Sequence, residues 1–308
     1  MRAFIFPGQG SQAVGMGAAL AGASRAARDV FDEVDEALGQ SLFRLMRDGP
    51  DDELKLTENA QPAIMAHSIA VLRTMGVRLA DVAGFVAGHS LGEYSALCAA
   101  GSFDLATTAK LLKLRGRAMQ QAVPVGEGAM AALLGADLAL AQKIAEAAAQ
   151  GQVCTVANDN DPSQVVISGN KAAIDRAIEM AKEMGAKRAV PLPVSAPFHC
   201  PLMQPAAEAM RDALSYVVIE QPAVPVFANV TAQPESDPDT IRNQLVEQVT
   251  GMVRWRESVA NMFDAGVHEF VEIGGKVLGS MVKRIAPDAK VTSVVTIEDV
   301  EAAAKEIA

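Results

Sequence analysis

Gly88-His89-Ser90-Leu91-Gly92 is a Gly-x-Ser-x-Gly pentapeptide set between two segments of opposite character. Ahead of it, residues 82–87 (Val-Ala-Gly-Phe-Val-Ala) form an apolar run of strand length; behind it, residues 93–100 (Glu-Tyr-Ser-Ala-Leu-Cys-Ala-Ala) read as a helix that stops near Gly101. Strand, sharp turn and helix are the setting a nucleophile elbow needs. The turn strains the backbone at the serine and pushes its Oγ into the open. Side chains at positions 88 and 92 would collide with neighbouring backbone. Ser90 also stands at a helix N-terminus, where free N–H groups and the helix dipole favour developing negative charge. The pentapeptide alone is common by chance and can be a Gly-Ser turn that merely begins a helix. Its flanking elements make Ser90 the candidate nucleophile.

Working outward, residues 3–6 predict a first strand closed by Pro7-Gly8, and residues 9–12 a Gly-rich connection. Helical patterns follow over 18–38, 42–48 and 61–75, and an amphipathic helix over 105–122 ends before Pro124-Val125-Gly126. Residues 128–191 then run strand 129–134, helix 137–149, strand 153–157, strand 164–168, helix 171–184 and strand 187–191. That β-α-β-β-α-β order is the split unit of a ferredoxin-like domain, with Pro191-Leu192-Pro193 as the return crossing. Beyond it lie a loop over 195–201, helices over 205–214, 241–249, 257–264 and 277–285, and strands over 224–228, 269–273 and 291–295. The alanine-rich end, 298–308, reads as a surface helix. The fold class is therefore α/β. A large α/β-hydrolase-like domain with a parallel sheet core (1–127 and 192–308) carries an inserted small ferredoxin-like domain (128–191).

Half of the 308 residues are hydrophobic, ample for a large core. The net charge of −10, from 27 basic and 37 acidic residues, argues against nucleic acid as a partner. Cys98, Cys154 and Cys200 lack metal-ligand spacing and read as reduced thiols. The N-terminal apolar run is too short for a signal peptide. No stretch approaches the roughly 18 apolar residues of a membrane helix. A cytoplasmic protein with no membrane partner is expected, working as a monomer.

A serine hydroxyl needs a neighbour to take its proton. Of the four histidines, His67 lies inside an apolar helix, and His89 adjoins Ser90 with its side chain expected to point away. His268 reads as a solvated surface residue beside Glu269. His199 lies in a proline-rich loop, where functional groups concentrate, and is the candidate base. The usual hydrolase order of serine, acid, histidine points to Asp159 or Asp161 as the orienting group, yet both fall in the inserted domain.

The ordered motifs resemble the malonyl-CoA:acyl carrier protein transacylase family over essentially the whole chain. They are Phe6-Pro7-Gly8-Gln9-Gly10-Ser11-Gln12, Gln61-Pro62-Ala63, Gly88 to Ser95, Arg115-Gly116-Arg117-Ala118-Met119-Gln120, Gly128 to Ala132, Gln164 to Gly169 and Pro193 to His199. The resemblance implies a Ser90–His199 dyad, with the backbone carbonyl of Gln248 holding the imidazole. It implies an oxyanion hole made by the N–H groups of Gln9 and Leu91. Arg115 is implied to clasp the malonyl carboxylate; taken alone it reads as a solvated residue on an amphipathic helix. Met119, one helical turn after Arg115, can line the same pocket or be simply core; Phe198 is implied to oppose an α-methyl branch, with Gln61 and Asn160 close by. Two departures stand out. Glu272-Ile273-Gly274-Gly275 is one residue shorter than the family's Glu-hydrophobic-Gly-Pro-Gly, and Gly251-Met252-Val253 lacks a frequent proline.

The activity implied is ping-pong transfer from malonyl-CoA to the phosphopantetheine thiol of an acyl carrier protein, in fatty acid or polyketide biosynthesis. It needs no metal or redox cofactor and one histidine near its normal pKa. A serine thioesterase or esterase with the same dyad is the alternative, and an acyl-CoA-binding scaffold without turnover a further one. Lys182, Lys187 and Arg188, or Lys110, Lys113 and Arg117, are the basic clusters expected to meet an acidic carrier protein.

Overall fold

The computed structural model describes residues 1–307. Its strands in chain order are β1 (Arg2–Phe6), β2 (Phe85–Gly88), β3 (Gly128–Leu134), β4 (Cys154–Asp161), β5 (Gln164–Asn170), β6 (Arg188–Pro191), β7 (Val226–Phe227), β8 (Pro234–Glu235), β9 (Glu269–Ile273) and β10 (Lys290–Val294). Ala3, Phe4, Ile5 and Phe6 are all fully buried. A strand apolar on both faces belongs in the middle of a covered parallel sheet. β1 does lie there, in the order β10-β9-β1-β2-β7-β8, parallel except for β8. Successive side chains of a strand point to opposite faces. Phe4 and Phe6 accordingly join a core with Ile64, Leu97 and Leu112, and Ala3 and Ile5 join another with Trp255, Val259 and Phe270. The first core holds the helices Thr57–Met75, Leu91–Ala99 and Leu105–Gln121; the second holds Trp255–Asp264 and Leu278–Ile285.

The two elbow glycines let β2, its helix and β1 touch. A Cβ on Gly88 would lie 1.9 Å from the carbonyl carbon and oxygen of Gly92, and one on Gly92 would lie 2.2 Å from the Phe6 oxygen. Both obstacles are backbone and cannot swing aside. Gly88→Ala is expected to cost at least about 1–3 kcal/mol, the usual range for overpacking. Urea unfolding would measure it, and a variant as stable as the wild type would contradict so close an apposition.

Residues 128–191 form the second sheet, antiparallel, in the order β4-β5-β3-β6. Ala131 and Leu133 pack with Ile144, Ile167 and Ile174 in a core of their own under the helices Leu138–Ala149 and Lys171–Ala181. Met130 and Ala132, on the other face of β3, join the large core instead. At the edge, Val253 donates to the Ala157 carbonyl at 2.8 Å and accepts from the Asp159 N–H at 2.9 Å. Asp159 pairs with Arg256 and Asp161 with Arg284, each at 2.8 Å. The two acids that chain order offered as histidine orienters tie the small sheet to the helices Trp255–Asp264 and Leu278–Ile285.

Several boundaries differ from the sequence reading. The helix expected over 18–38 is two, Ala18–Ala23 and Arg25–Leu38. Ser24 is extended there, and its side chain accepts the Ala27 N–H, the satisfaction an N-cap serine offers. The helix expected from Gln61 starts a turn earlier, at Thr57, with Pro62 inside it. Residues Leu79–Val82 are helical, which delays β2 to Phe85. The strand expected over 153–157 runs on to Asp161, and that expected over 224–228 contracts to Val226–Phe227. The last helix, Ile297–Ile307, is not confined to the surface, since Val300, Ala303 and Ile307 are buried; Ala308 lies outside the described residues.

Candidate active site

Three parallel strands deliver the site from their C-terminal ends, where open α/β sheets carry their ligand crevice. β1 leads into Gln9, β2 into Ser90 and β7 into Asn229. Ser90 has φ 54° and ψ −112°. A non-glycine residue there carries strain of roughly 1–3 kcal/mol and has to be held. Asn229 holds it: its Oδ1 accepts the Ser90 N–H at 2.8 Å, while its Nδ2 donates to the Gly88 carbonyl at 2.7 Å. His199 is also left-handed, at φ 55°.

Ser90 Oγ lies 2.8 Å from His199 Nε2, and His199 Nδ1 lies 2.9 Å from the backbone carbonyl of Gln248. A carbonyl can only accept, so Nδ1 carries the proton and Nε2 is left to accept from the serine. No carboxylate is needed to set the tautomer. Burial, and next the Arg115 charge, lower the His199 pKa to about 3. The expectation of a base near its normal pKa is thereby corrected: this imidazole is buried beside a cation.

Arg115 is not a solvated helix residue; it is 1% exposed. Its Nη1 donates to Gln61 Oε1 at 2.8 Å, and its Nη2 to Ser90 Oγ at 3.1 Å and to Gln248 Oε1 at 2.9 Å. The guanidinium carbon stands 5.7 Å from the centre of the Tyr94 ring. The Nε–H has no acceptor among the described residues, a costly state for a buried charged donor. Its helix neighbours Lys113 and Arg117 both pair with Glu58.

These groups open onto a cleft of about 460 Å³ between the two sheets. Gln9, Gln61, Leu91, Met119 and Phe198 line it from one side, and Met130, Asn158 and the return crossing Leu192-Pro193-Val194 from the other. Leu91 is the first residue of its helix, and the first N–H groups of a helix have no acceptor within it. Met119 Sδ sits 3.7 Å from Gln61 Nε2, packed rather than free. Asn160 is not at the cleft wall: its Oδ1 lies 2.8 Å from His89 Nε2. Asn158 takes the lining place.

His67 is buried in its helix, and burial lowers its pKa to about 4. His268 is exposed, edge-on to Phe263. Neither is near the dyad. Glu93 and Asn229 were missed in the sequence. A polar residue directly after a buried strand was the available signal for Asn229. Glu93 reads as an ordinary first-turn acid, yet burial raises its pKa to about 7.

Comparison with known proteins agrees along the whole chain. The acyl transferase domain family matches residues 3–294. The malonyl CoA-acyl carrier protein transacylase of Escherichia coli (strain K12) is 46% identical over 284 residues, 92% of each chain. The crystal structure of acyl-carrier-protein-S-malonyltransferase from Bartonella henselae superimposes with a TM-score of 0.97 at 53% identity, covering 99% of both chains. A malonyl-transacylase in complex with a type II PKS acyl-carrier protein superimposes with a TM-score of 0.96 at 40% identity, again over 99% of each.

Proposed function

The chain belongs to the acyl transferase domain family, among its malonyl-CoA:acyl carrier protein transacylases, and from that membership we infer that its cleft moves malonyl groups from coenzyme A to the phosphopantetheine thiol of an acyl carrier protein. One observation carries the reading. The Ser90 hydroxyl is bonded to a neutral imidazole at 2.8 Å and to a buried guanidinium at 3.1 Å. A nucleophile, its base and a carboxylate receptor meet at one atom.

In the first half-reaction the Ser90 Oγ–H proton passes to His199 Nε2 as Oγ bonds the thioester carbonyl carbon. The carbonyl oxygen takes the negative charge and is met by the N–H groups of Gln9 and Leu91; one such donor typically lowers the barrier by about 3–4 kcal/mol. As the intermediate collapses, the carbon–sulfur bond breaks and the departing sulfur takes the proton from His199. The carrier thiol then repeats these steps in reverse on malonyl-Ser90. Arg115 holds the malonyl carboxylate in both halves, since a planar guanidinium can grip it with two parallel hydrogen bonds. Met119 and Phe198 wall the acyl group, with Phe198 opposing an α-methyl branch. No cofactor enters, because exchange of an acyl group between two thiols is redox-neutral. The cleft is complete within one chain, so a monomer suffices. A cytoplasmic site is in keeping with three unpaired cysteines; among the described residues, no helix is long and apolar enough to cross a membrane.

Transfer and hydrolysis share this dyad, and the carboxylate receptor together with the family favours transfer. Mixing the enzyme with malonyl-CoA alone should yield a stable malonyl-enzyme, discharged only on adding carrier protein. Rapid release of malonate without carrier would support the esterase reading instead.

The lowered His199 pKa has a consequence for rate. A base of pKa 6.5 would lose roughly 20-fold in its neutral fraction between pH 7 and pH 5. Here acylation by acetyl-CoA, which brings no carboxylate, should stay flat to within about twofold over that range. Rapid-quench acylation rates would test it, and a steep fall centred near 6.5 would contradict it. The stability sign is the same: the unfolded histidine takes a proton near 6.5 and the native one only near 3. His199 therefore supports the fold above 6.5, and that contribution is lost as pH falls from 6.5 towards 3.

Lys182, Lys187 and Arg188 are exposed, and β6 runs from Arg188 directly into the cleft-lining Leu192-Pro193-Val194. We place the acidic carrier protein there, rather than on the Lys113–Arg117 cluster already paired with Glu58. Reversing Lys187 and Arg188 to glutamate should raise KM for carrier protein about tenfold and leave KM for malonyl-CoA unchanged. Equal effects on both would remove this face from consideration.

A further inference from the structure

Beneath the dyad lies a buried relay that the mechanism above does not use. Glu93, 3% exposed, accepts the Gln248 Nε2–H at 2.7 Å and the Asn229 N–H at 3.0 Å, both on Oε2. The other end of the same amide, Gln248 Oε1, accepts from Arg115 Nη2 at 2.9 Å. One side-chain amide therefore stands between a buried carboxylate and a buried guanidinium, oriented by both. The Gln248 backbone carbonyl meanwhile holds His199. The elements packed on Glu93 bring one charged group, Arg115; Asn229 and Gln248 are neutral. Tyr94, on its own helix, is held protonated by burial, and the nearby imidazoles of His89 and His199 are both lowered by burial.

We propose that Glu93 is a positioning residue for acyl selection: the buried counter-ion that, through the Gln248 amide, holds Arg115 beside Ser90 in the empty cleft and takes up a proton when a malonyl carboxylate takes over the guanidinium. The inference rests on Arg115 receiving that carboxylate. Charge counting drives it. With Glu93 ionised, the empty site is neutral, one guanidinium against one carboxylate. A malonyl group adds a second carboxylate beside the same buried guanidinium, and like charges that share a buried site push one of them to protonate. Both hydrogen bonds to Glu93 fall on Oε2, so a proton from solvent can bind Oε1 without breaking either. Burial already raises the Glu93 pKa to about 7, close to where the added charge would tip it. An uncharged acyl group adds no charge and calls for no proton.

Calorimetric binding of malonyl-CoA and of acetyl-CoA to the Ser90→Ala protein, at pH 8 in two buffers of different ionisation enthalpy, tests this directly. Acetyl-CoA cancels protons linked to the coenzyme. Malonyl-CoA should take up an extra fraction of a proton approaching one, and that excess should vanish in Ser90→Ala/Glu93→Gln. In the otherwise wild-type enzyme, KM for malonyl-CoA should rise with pH above 7, by at most about tenfold per unit, and become flat in Glu93→Gln. Equal proton counts for the two thioesters would overturn the proposal, and that measurement does not depend on the Glu93 variant folding. If Arg115→Ala keeps its malonyl preference, the carboxylate reading and this proposal fall together. If that preference is lost while the proton counts are equal, only the role of Glu93 is refuted.

Discussion

Ser90→Ala protein will form no malonyl-enzyme from malonyl-CoA, and its transfer of malonyl to carrier protein will be slower than wild type by at least about 10⁴-fold, the scale on which serine nucleophiles matter elsewhere. The reason is specific to the ping-pong route. Without Oγ there is no atom to carry the acyl group between two thiols, and the remaining oxyanion donors can only assist a direct attack for which the cleft is not arranged. The substitution should leave the elbow standing. The Ser90 N–H still has Asn229 Oδ1 as acceptor, and Asn229 still bonds Gly88. Unfolding free energy is expected to change little, so loss of activity will not reflect loss of fold. Intact-protein mass spectrometry after exposure to malonyl-CoA reads the adduct, and rapid quench reads the rate. A malonyl adduct on another side chain of the variant, at an undiminished rate, would end the case for this serine. His199→Ala should approach the same floor, and the double variant should be little worse than either alone, since the two groups act as a unit.

How much of this was legible in the chain depends on the distance over which each feature is decided. The elbow is local: two glycines, an apolar run and a helix lie within about twenty residues, and the Gly88 clash is with Gly92 itself, whereas the Gly92 clash is with the backbone of Phe6 and Pro7 at the distant end of β1. The β-α-β-β-α-β order of 128–191 is likewise a matter of successive short segments. The link between His199 and the Gln248 carbonyl spans 49 positions and involves a backbone atom, which no residue type announces. It was reached through resemblance. Arg115 illustrates the opposite failure. Its helix alternates lysine, arginine and leucine, which spells a solvated stripe; Gln61, Ser90, Tyr94 and Gln248, brought in from elsewhere in the chain, put the guanidinium in the dark. Asp159 and Asp161 looked like candidates because chain order favours an acid between serine and histidine. The extension of β4 to Asp161 turns them instead to Arg256 and Arg284. Burial was the common missing quantity, and it also explains His199 and Glu93.

Arg115→Ala is expected to lower kcat/KM for malonyl-CoA by roughly 10²–10³-fold, the effect of truncating one partner of a buried charge pair, while leaving acetyl-CoA nearly untouched or improved. The enzyme would then prefer an acyl group it normally declines. The ratio of the two substrates is the quantity to measure, because the substitution also strips partners from Gln61 Oε1, Gln248 Oε1 and Ser90 Oγ. Loosening of those groups would slow both thioesters alike and cancel in the ratio. Arg115→Lys separates charge from shape. An ammonium keeps the positive charge but has three donors and no planar fork, so it cannot grip a carboxylate with two parallel hydrogen bonds while serving Gln61 and Gln248. Malonyl preference should fall well below wild type even though attraction for an anion persists. Should Lys restore the full preference, a point charge would be all the site requires. Should Ala retain it, the carboxylate would have to be held elsewhere in the cleft, and Lys55, the other cation on its wall, would become the residue to replace.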